Sequence, residues 1–167
     1  TGDKIEFDQV IEKGCGIDIH KSVLVSTVRG KGIRTETRSY DAFTESIEQL
    51  RDWLKSLGIT HVAMESTGVY WKPVYNILEQ DFEIVLVNAR HLKNIPGNKT
   101  DKKDSRRIAK LLLAGLLKGS FIPAKPVREM RDLTRYKRRI IEQMASEKNR
   151  IQKFLEDANI KLSTVVS

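Results

Sequence analysis

Along residues 14–20 the side chains alternate. Cys15, Ile17 and Ile19 are apolar, and Gly16, Asp18 and His20 stand between them. A period of two predicts a half-buried strand, here with a carboxylate in its middle. No sequence neighbour neutralises Asp18, and burying a bare carboxylate is costly, so the pattern predicts a cation, donor or water brought from elsewhere in the fold. Residues 22–28 predict a second strand, with Val23, Val25 and Thr27 alternating against Leu24 and Val28. Arg29-Gly30-Lys31-Gly32 supplies a turn, because its two glycines accept positive φ. Residues 33–40, polar on one face, predict a third strand near a sheet edge, completing an antiparallel meander.

The period then changes. Asp41, or Thr44 as second choice, suits the N-cap of a helix whose apolar positions are Phe43, Ile47, Leu50, Trp53, Leu54 and Leu57, stopping at Gly58. Residues 60–64 predict a short strand ending in Glu65, and Ser66-Thr67-Gly68 a turn. Residues 69–80 predict a helix that tolerates Pro73 only near its first turn. The continuous apolar run 82–87 predicts a strand buried on both faces. The order βββαβαβ predicts an α/β sandwich with a mixed sheet.

Beyond it, residues 88–98 read as a polar loop containing Pro96-Gly97. Thr100 caps a predicted helix over 101–118, with Ile108, Leu111, Leu112 and Leu116 on its inner face. Residues 119–126, with two prolines, break the pattern. A long helix over 127–159 follows, its apolar positions Leu133, Tyr136, Ile140, Met144, Ile151, Leu155, Ala158 and Leu162 close to a heptad spacing, with Glu147 in one polar gap. That predicts a coiled-coil or helical-hairpin arm.

A chain of 167 residues suits one domain with a helical appendage. No apolar run approaches the ~18 residues of a membrane span, and mean hydropathy is −0.40. One cysteine excludes an internal disulfide and points to a reducing, cytoplasmic compartment; in its strand Cys15 reads as a small core residue. Residues 1–13 read as a polar lead-in or tag remnant, and the chain as a fragment of a longer one. Charge is uneven: residues 1–89 sum to −4 and residues 90–153 to +13 within a total of +8. One strongly basic half predicts a polyanionic partner, most simply nucleic acid, against the plainer reading of a solvated helix surface.

Carboxylates stand at three separate places on predicted elements: Asp18, Glu65, and the pair Asp101 and Asp104. Positions i and i+3 share a helix face. Carboxylates gathered on one side repel unless a hard cation lies between them, and oxygen ligands suit Mg²⁺, with Mn²⁺ as the alternative. Two such ions activate a nucleophile and stabilise a leaving oxygen at a phosphodiester. Ordinary readings compete. Asp101 and Asp104 favour the helix dipole in a first turn, and Glu65 fits a surface turn; Asp18, central in an apolar strand, resists such a reading. His20, His61 and His91 are scattered and read as structural. No glycine-rich phosphate loop is present. Lys99, Lys102, Lys103, Arg106, Arg107 and Lys110 surround the acidic pair, and Arg135, Lys137, Arg138 and Arg139 form a denser cluster on the long helix. Such groups give salt-dependent, sequence-blind affinity for phosphates. Tyr70, Trp71 and Tyr75 read as helix packing, with base stacking as the functional alternative.

Three motifs carry a resemblance: Gly16-Ile17-Asp18-Ile19-His20-Lys21, Met64-Glu65-Ser66-Thr67-Gly68-Val69-Tyr70 and Lys99-Thr100-Asp101-Lys102-Lys103-Asp104-Ser105. In order and spacing they resemble the N-terminal catalytic domain of the DEDD transposases of the insertion-sequence 110 family. Arg131-Asp132-Leu133-Thr134-Arg135-Tyr136 and Asn149-Arg150 resemble that family's basic helical region, so the likeness spans 14–162. It implies an RNase H-like (RuvC-like) fold over 14–120, a basic helical arm over 121–167, and a metal-binding tetrad of Asp18, Glu65, Asp101 and Asp104. It further implies a DNA recombinase guided by a structured bridge RNA. In that family a C-terminal domain supplies a nucleophilic serine that joins a partner subunit's metal site, and nothing in this chain matches that serine motif. Ser105, where alanine is common, is not assigned that role. The absence of a base-reading motif fits sequence choice delegated to RNA pairing. Partners implied are DNA, bridge RNA and a second copy of the chain, in a prokaryotic, nucleoid-associated setting. Two other classes compete: a non-catalytic nucleic-acid-binding and dimerisation module, and an autonomous RuvC-like junction nuclease using water.

Overall fold

A computed structural model describes residues 10–66, 68–95 and 105–161. The alternating segments form β1 (Lys13–Ile19), β2 (Val23–Gly30) and β3 (Glu36–Asp41), an antiparallel meander. After α1 (Thr44–Ser56), β4 (His61–Glu65) returns parallel to β1; after α2 (Trp71–Leu78), β5 (Glu83–Val87) pairs parallel to β4. The five-stranded mixed sheet has the order β3-β2-β1-β4-β5, so β1 is central. Each parallel step is a crossover through a helix, as parallel pairing requires.

Two opposite cores follow from the period of two. Cys15, Ile17, Leu24, Val28, Val62, Met64 and Leu86 are buried on one face, where α1 and α2 contribute Ile47, Leu50, Leu54, Val74 and Leu78. On the other face Ala63 packs with Ile108 and Leu112, and Val87 with Leu111, from α4 (Ser105–Leu113). Cys15 is wholly buried, as its strand pattern predicts.

Several boundaries differ from the pattern, each for a physical reason. Neither Asp41 nor Thr44 caps α1: Asp41 is still in the ladder opposite Val23, Thr44 is already helical, and Phe43 holds the cap position with no side-chain bond. β2 runs on through Gly30, moving the turn to residues 31–35, where Gly32 has a φ of 75°. β5 is an edge strand, with Glu83 exposed and Ile84 and Val85 half-buried, and an isolated bridge from Val87 to Gly119 covers its end. The predicted loop after it contains α3 (Ala89–Asn94), capped by Asn88, whose Oδ1 accepts from Arg90 N at 2.8 Å. α4 stops at Leu113 rather than residue 118, because Gly115 turns the chain at a φ of 67° and leaves Leu116 exposed. Residues read as lead-in join the fold: the amides of Val10 and Ile11 donate to Leu113 O at 2.7 and 3.0 Å.

The chain divides after Ser120. The second unit contains α5 (Lys125–Asp157), a 33-residue helix with Pro126 in its first turn and no buried residue. Leu133, Tyr136, Ile140, Met144 and Ile151 are all exposed along it, and Arg138–Glu142 and Arg150–Glu147 pair along its surface. Leu162, at the end of the predicted heptads, lies outside the described residues. Among those residues no helix is long and apolar enough to cross a membrane.

Candidate active site

The parallel register of β1 and β4 pairs Gly14 with His61, Gly16 with Ala63 and Ile17 with Met64. One step further, Asp18 and Glu65 stand on neighbouring strands, roughly 5 Å apart in the pairing direction and on the same face. Glu65 closes β4 and Asp18 is the next-to-last residue of β1, at the same end of the sheet. Residues 47 positions apart in sequence are thus made neighbours by register alone.

Asp18 is not left bare. His20 lies two residues on, on the same side of the strand, and its Nε2 is 3.2 Å from Asp18 Oδ2. The expectation that no sequence neighbour could serve Asp18 is corrected here. The Asp18 side chain keeps 18% of its exposure, which leaves its carboxylate reachable from solvent.

The face shared by Asp18 and Glu65 is the one α4 crosses. A Cβ on Gly16 would lie 2.3 Å from both Ser105 O and Ala109 N, and one on Gly14 within 2.9 Å of the Leu112 and Leu113 methyls. The helix therefore runs back along β1 with its Ser105 end toward Asp18. That end is fixed by hydroxyls: Ser105 Oγ is 2.7 Å from Thr27 Oγ1, itself 2.8 Å from Thr37 Oγ1 on β3. Arg106 Nε donates to the same Thr37 oxygen at 3.4 Å. This chain of hydroxyls was not recognised in the sequence, although Thr27 amid apolar strand residues was its one visible signal.

The remaining expected residues separate into groups. Asp101, Asp104, Lys99, Lys102 and Lys103 lie outside the described residues. Arg107 turns inward, its Nη2 donating to Leu92 O at 3.1 Å and Ile95 O at 2.9 Å, and so ties α4 to the end of α3. Arg106 is exposed and Lys110 half-buried. Arg135, Lys137, Arg138 and Arg139 are exposed on α5, with Arg138 donating to Glu142. Cys15 is no nucleophile: burial pushes its thiol far above the usual range, outweighing a backbone hydrogen bond that favours the thiolate. His61 pairs with Glu83 at 3.2 Å, and His91 Nε2 meets Lys118 N at 3.3 Å, both structural positions. Trp71 and Tyr75 pack edge-to-face at 5.8 Å.

Ionised carboxylates only accept hydrogen bonds, so two set side by side suit a hard cation or convergent donors. Among the described residues no group of three or more His, Cys, Asp or Glu side chains gathers around a common metal position.

Comparison with known proteins adds a family. A model of a transposase family, the DEDD transposases of insertion sequence 110, matches residues 15–160. No curated protein matches the chain. Among solved structures, RuvC of T. thermophilus in complex with a Holliday junction substrate is 11% identical with a TM-score of 0.43, covering 65% of this chain and 99% of that one. A second Thermus thermophilus RuvC structure is 16% identical with a TM-score of 0.40, covering 67% and 84%.

Proposed function

This chain belongs to the DEDD transposase family of insertion sequence 110, and we propose that it is the metal-dependent phosphoryl-transfer domain of a DNA transposase. The observation that carries the reading is the β1–β4 register, which sets Asp18 beside Glu65 on the face crossed by α4. Two adjacent carboxylates repel, and a divalent cation, Mg²⁺ or Mn²⁺, relieves that repulsion with the oxygen ligands it prefers. In this reading Asp101 and Asp104 complete the set: Asp104 directly precedes Ser105 in the chain, and Ser105 is the described end of α4 nearest Asp18.

The metal would supply activation of the attacking oxygen and neutralisation of charge at the phosphodiester. The chain's own residues hold and orient. Asp18 and Glu65 offer acceptor oxygens, and His20 Nε2, 3.2 Å from Asp18 Oδ2, would help to orient that carboxylate. Arg106 and Lys110 offer cations to the phosphates near the cut, and Arg135, Lys137, Arg138 and Arg139 on α5 add salt-dependent affinity for the nucleic acid. The attacking serine belongs to a further domain in this reading, and a bridge RNA selects the DNA by pairing.

A second reading, a nucleic-acid-binding and assembly module, draws support from α5, whose exposed apolar positions suit a coiled coil with a second copy. Calorimetric titration with Mg²⁺ and Mn²⁺ separates the two. The phosphoryl-transfer reading expects binding that Asp18→Asn and Glu65→Gln each remove. Binding that survives both substitutions, or none even with DNA present, refutes it and leaves the module.

A further inference from the structure

The sheet end that holds Asp18 and Glu65 also carries three large, exposed apolar side chains. Phe43 is 75% exposed, Val69 64% and Tyr70 44%. Their location follows from topology. β3 runs parallel to β1, so α1 opens at the same end as Asp18, and α2 opens there after β4. Both helices run back along the face opposite the one that Asp18 and Glu65 share with α4, packed together with axes roughly 8–10 Å apart. Phe43 and Tyr70 hold the two cap positions, and neither helix receives a side-chain cap bond.

An aromatic ring serves a helix cap poorly, since short polar side chains are what satisfy the first amides. Phe43 is largely in water and Tyr70 not far from half exposed, so neither ring belongs to the buried core. Lys21 is exposed in the β1–β2 turn, and the amide of Ala42 donates to Ser22 O at 3.2 Å, which places that turn against the approach to Phe43. Exposed rings at one sheet end with a lysine match the two halves of a nucleotide: flat bases and anionic phosphate.

We infer that Phe43 and Tyr70, the latter with Val69 beside it in the chain, are each a stacking platform for unpaired DNA bases at the sheet end that holds the Asp18–Glu65 pair, with Lys21 meeting the phosphate. The inference rests on the phosphoryl-transfer reading of that pair. It adds the form of substrate, a strand whose bases are unstacked near the cut. Double-stranded DNA hides its base faces and has no use for such rings.

The test uses the chain in EDTA with a single-stranded oligonucleotide carrying 2-aminopurine, whose emission is quenched by stacking, and with the duplex of the same sequence. Phe43→Ala and Tyr70→Ala should each weaken single-strand binding about tenfold and relieve the quench, while duplex binding stays within about twofold. Phe43→Trp should keep both affinity and quench, which excludes misfolding as the cause. Unchanged single-strand binding in both alanine variants, or equal loss on duplex, overturns the inference. Asp18→Asn in the same metal-free buffer should retain the quench, so a failed metal titration and a failed stacking platform are told apart.

Discussion

Replacing Gly16 with alanine tests how closely α4 is seated on the sheet. The added Cβ would fall 2.3 Å from Ala109 N and Ser105 O and 3.0 Å from Ala109 Cα. Carbon contacts are comfortable only near 3.5 Å, so the helix must lift by roughly 1 Å. All three obstacles are backbone, and no rotamer change relieves them. Lifting α4 separates Ile108 and Leu112 from Ala63 and stretches the Ser105–Thr27 bond. Overpacking of this kind costs about 1–3 kcal/mol, and the upper end applies where only backbone can give way. For a small domain about 3 kcal/mol lowers Tm by about 10–20 °C. Gly14→Ala is the control: its Cβ crowds the methyl ends of Leu112 and Leu113, at 2.8 and 2.9 Å, which can rotate aside, and meets His61 O at an ordinary 3.5 Å. Its expected cost is about 1 kcal/mol. Urea unfolding followed by the fluorescence of Trp53, buried on α1, reads both variants in the sheet-containing unit. Equal unfolding midpoints for Gly16→Ala and Gly14→Ala would refute the close seating.

Cys15 sets a pH dependence. Its thiol is neutral in both states below about pH 8.5, the unfolded value. Above that the unfolded chain releases a proton that the buried thiol holds, so stability should fall by about 1.4 kcal/mol per pH unit as pH rises further. Unfolding free energies at pH 8, 9 and 10 should show the extra slope in the native chain and not in Cys15→Ala; parallel curves count against it. Arg107→Ala should cost about 1–2 kcal/mol by removing two charge-assisted bonds to Leu92 O and Ile95 O. Arg107→Lys should recover little, lacking the planar fork. Urea midpoints of the two variants check this, and full recovery by lysine would make simple charge the cause.

The strands were legible because successive side chains face opposite sides, and in β1 the apolar Cys15, Ile17 and Ile19 alternate with Gly14, Gly16 and Asp18, although residues 14–17 are buried on both faces. The helix caps were not, because a cap is set by where the preceding ladder ends. Asp41 has the right side chain but is occupied in pairing with Val23. The end of α4 was misread for a similar reason: Leu116 continues the apolar phase of Leu112, and only the backbone turn at Gly115 shows that the helix has stopped. α3 has six residues, too few for a helical period to emerge. His20 was missed as the partner of Asp18 although the alternation itself puts both on one side of the strand.

The carboxylate pair marks the deeper boundary of what one chain's pattern can say. Nothing local to Asp18 or Glu65 states that they meet; that depends on β4 entering beside β1 in the register Ile17–Met64. The resemblance of three motifs to a family supplied the expectation of a tetrad, and the register accounts for the nearness of Asp18 and Glu65 alone. The spacing Gly16-x-Asp18 then acquires a reason. On this face Gly14 and Gly16 lie under Leu112, Leu113, Ala109 and Ser105, where a side chain would collide with the helix. Asp18 is one step further along the same row, toward the end of the sheet, and it is there that the strand can carry a carboxylate and still leave it partly in water. Glycine and aspartate are thus two consequences of one geometry: the first lets the helix close on the strand, and the second stands where strand and described helix part. A substitution at Gly16 should therefore disturb the surroundings of Asp18 as well as the fold, because the helix it displaces has its Ser105 end toward that residue.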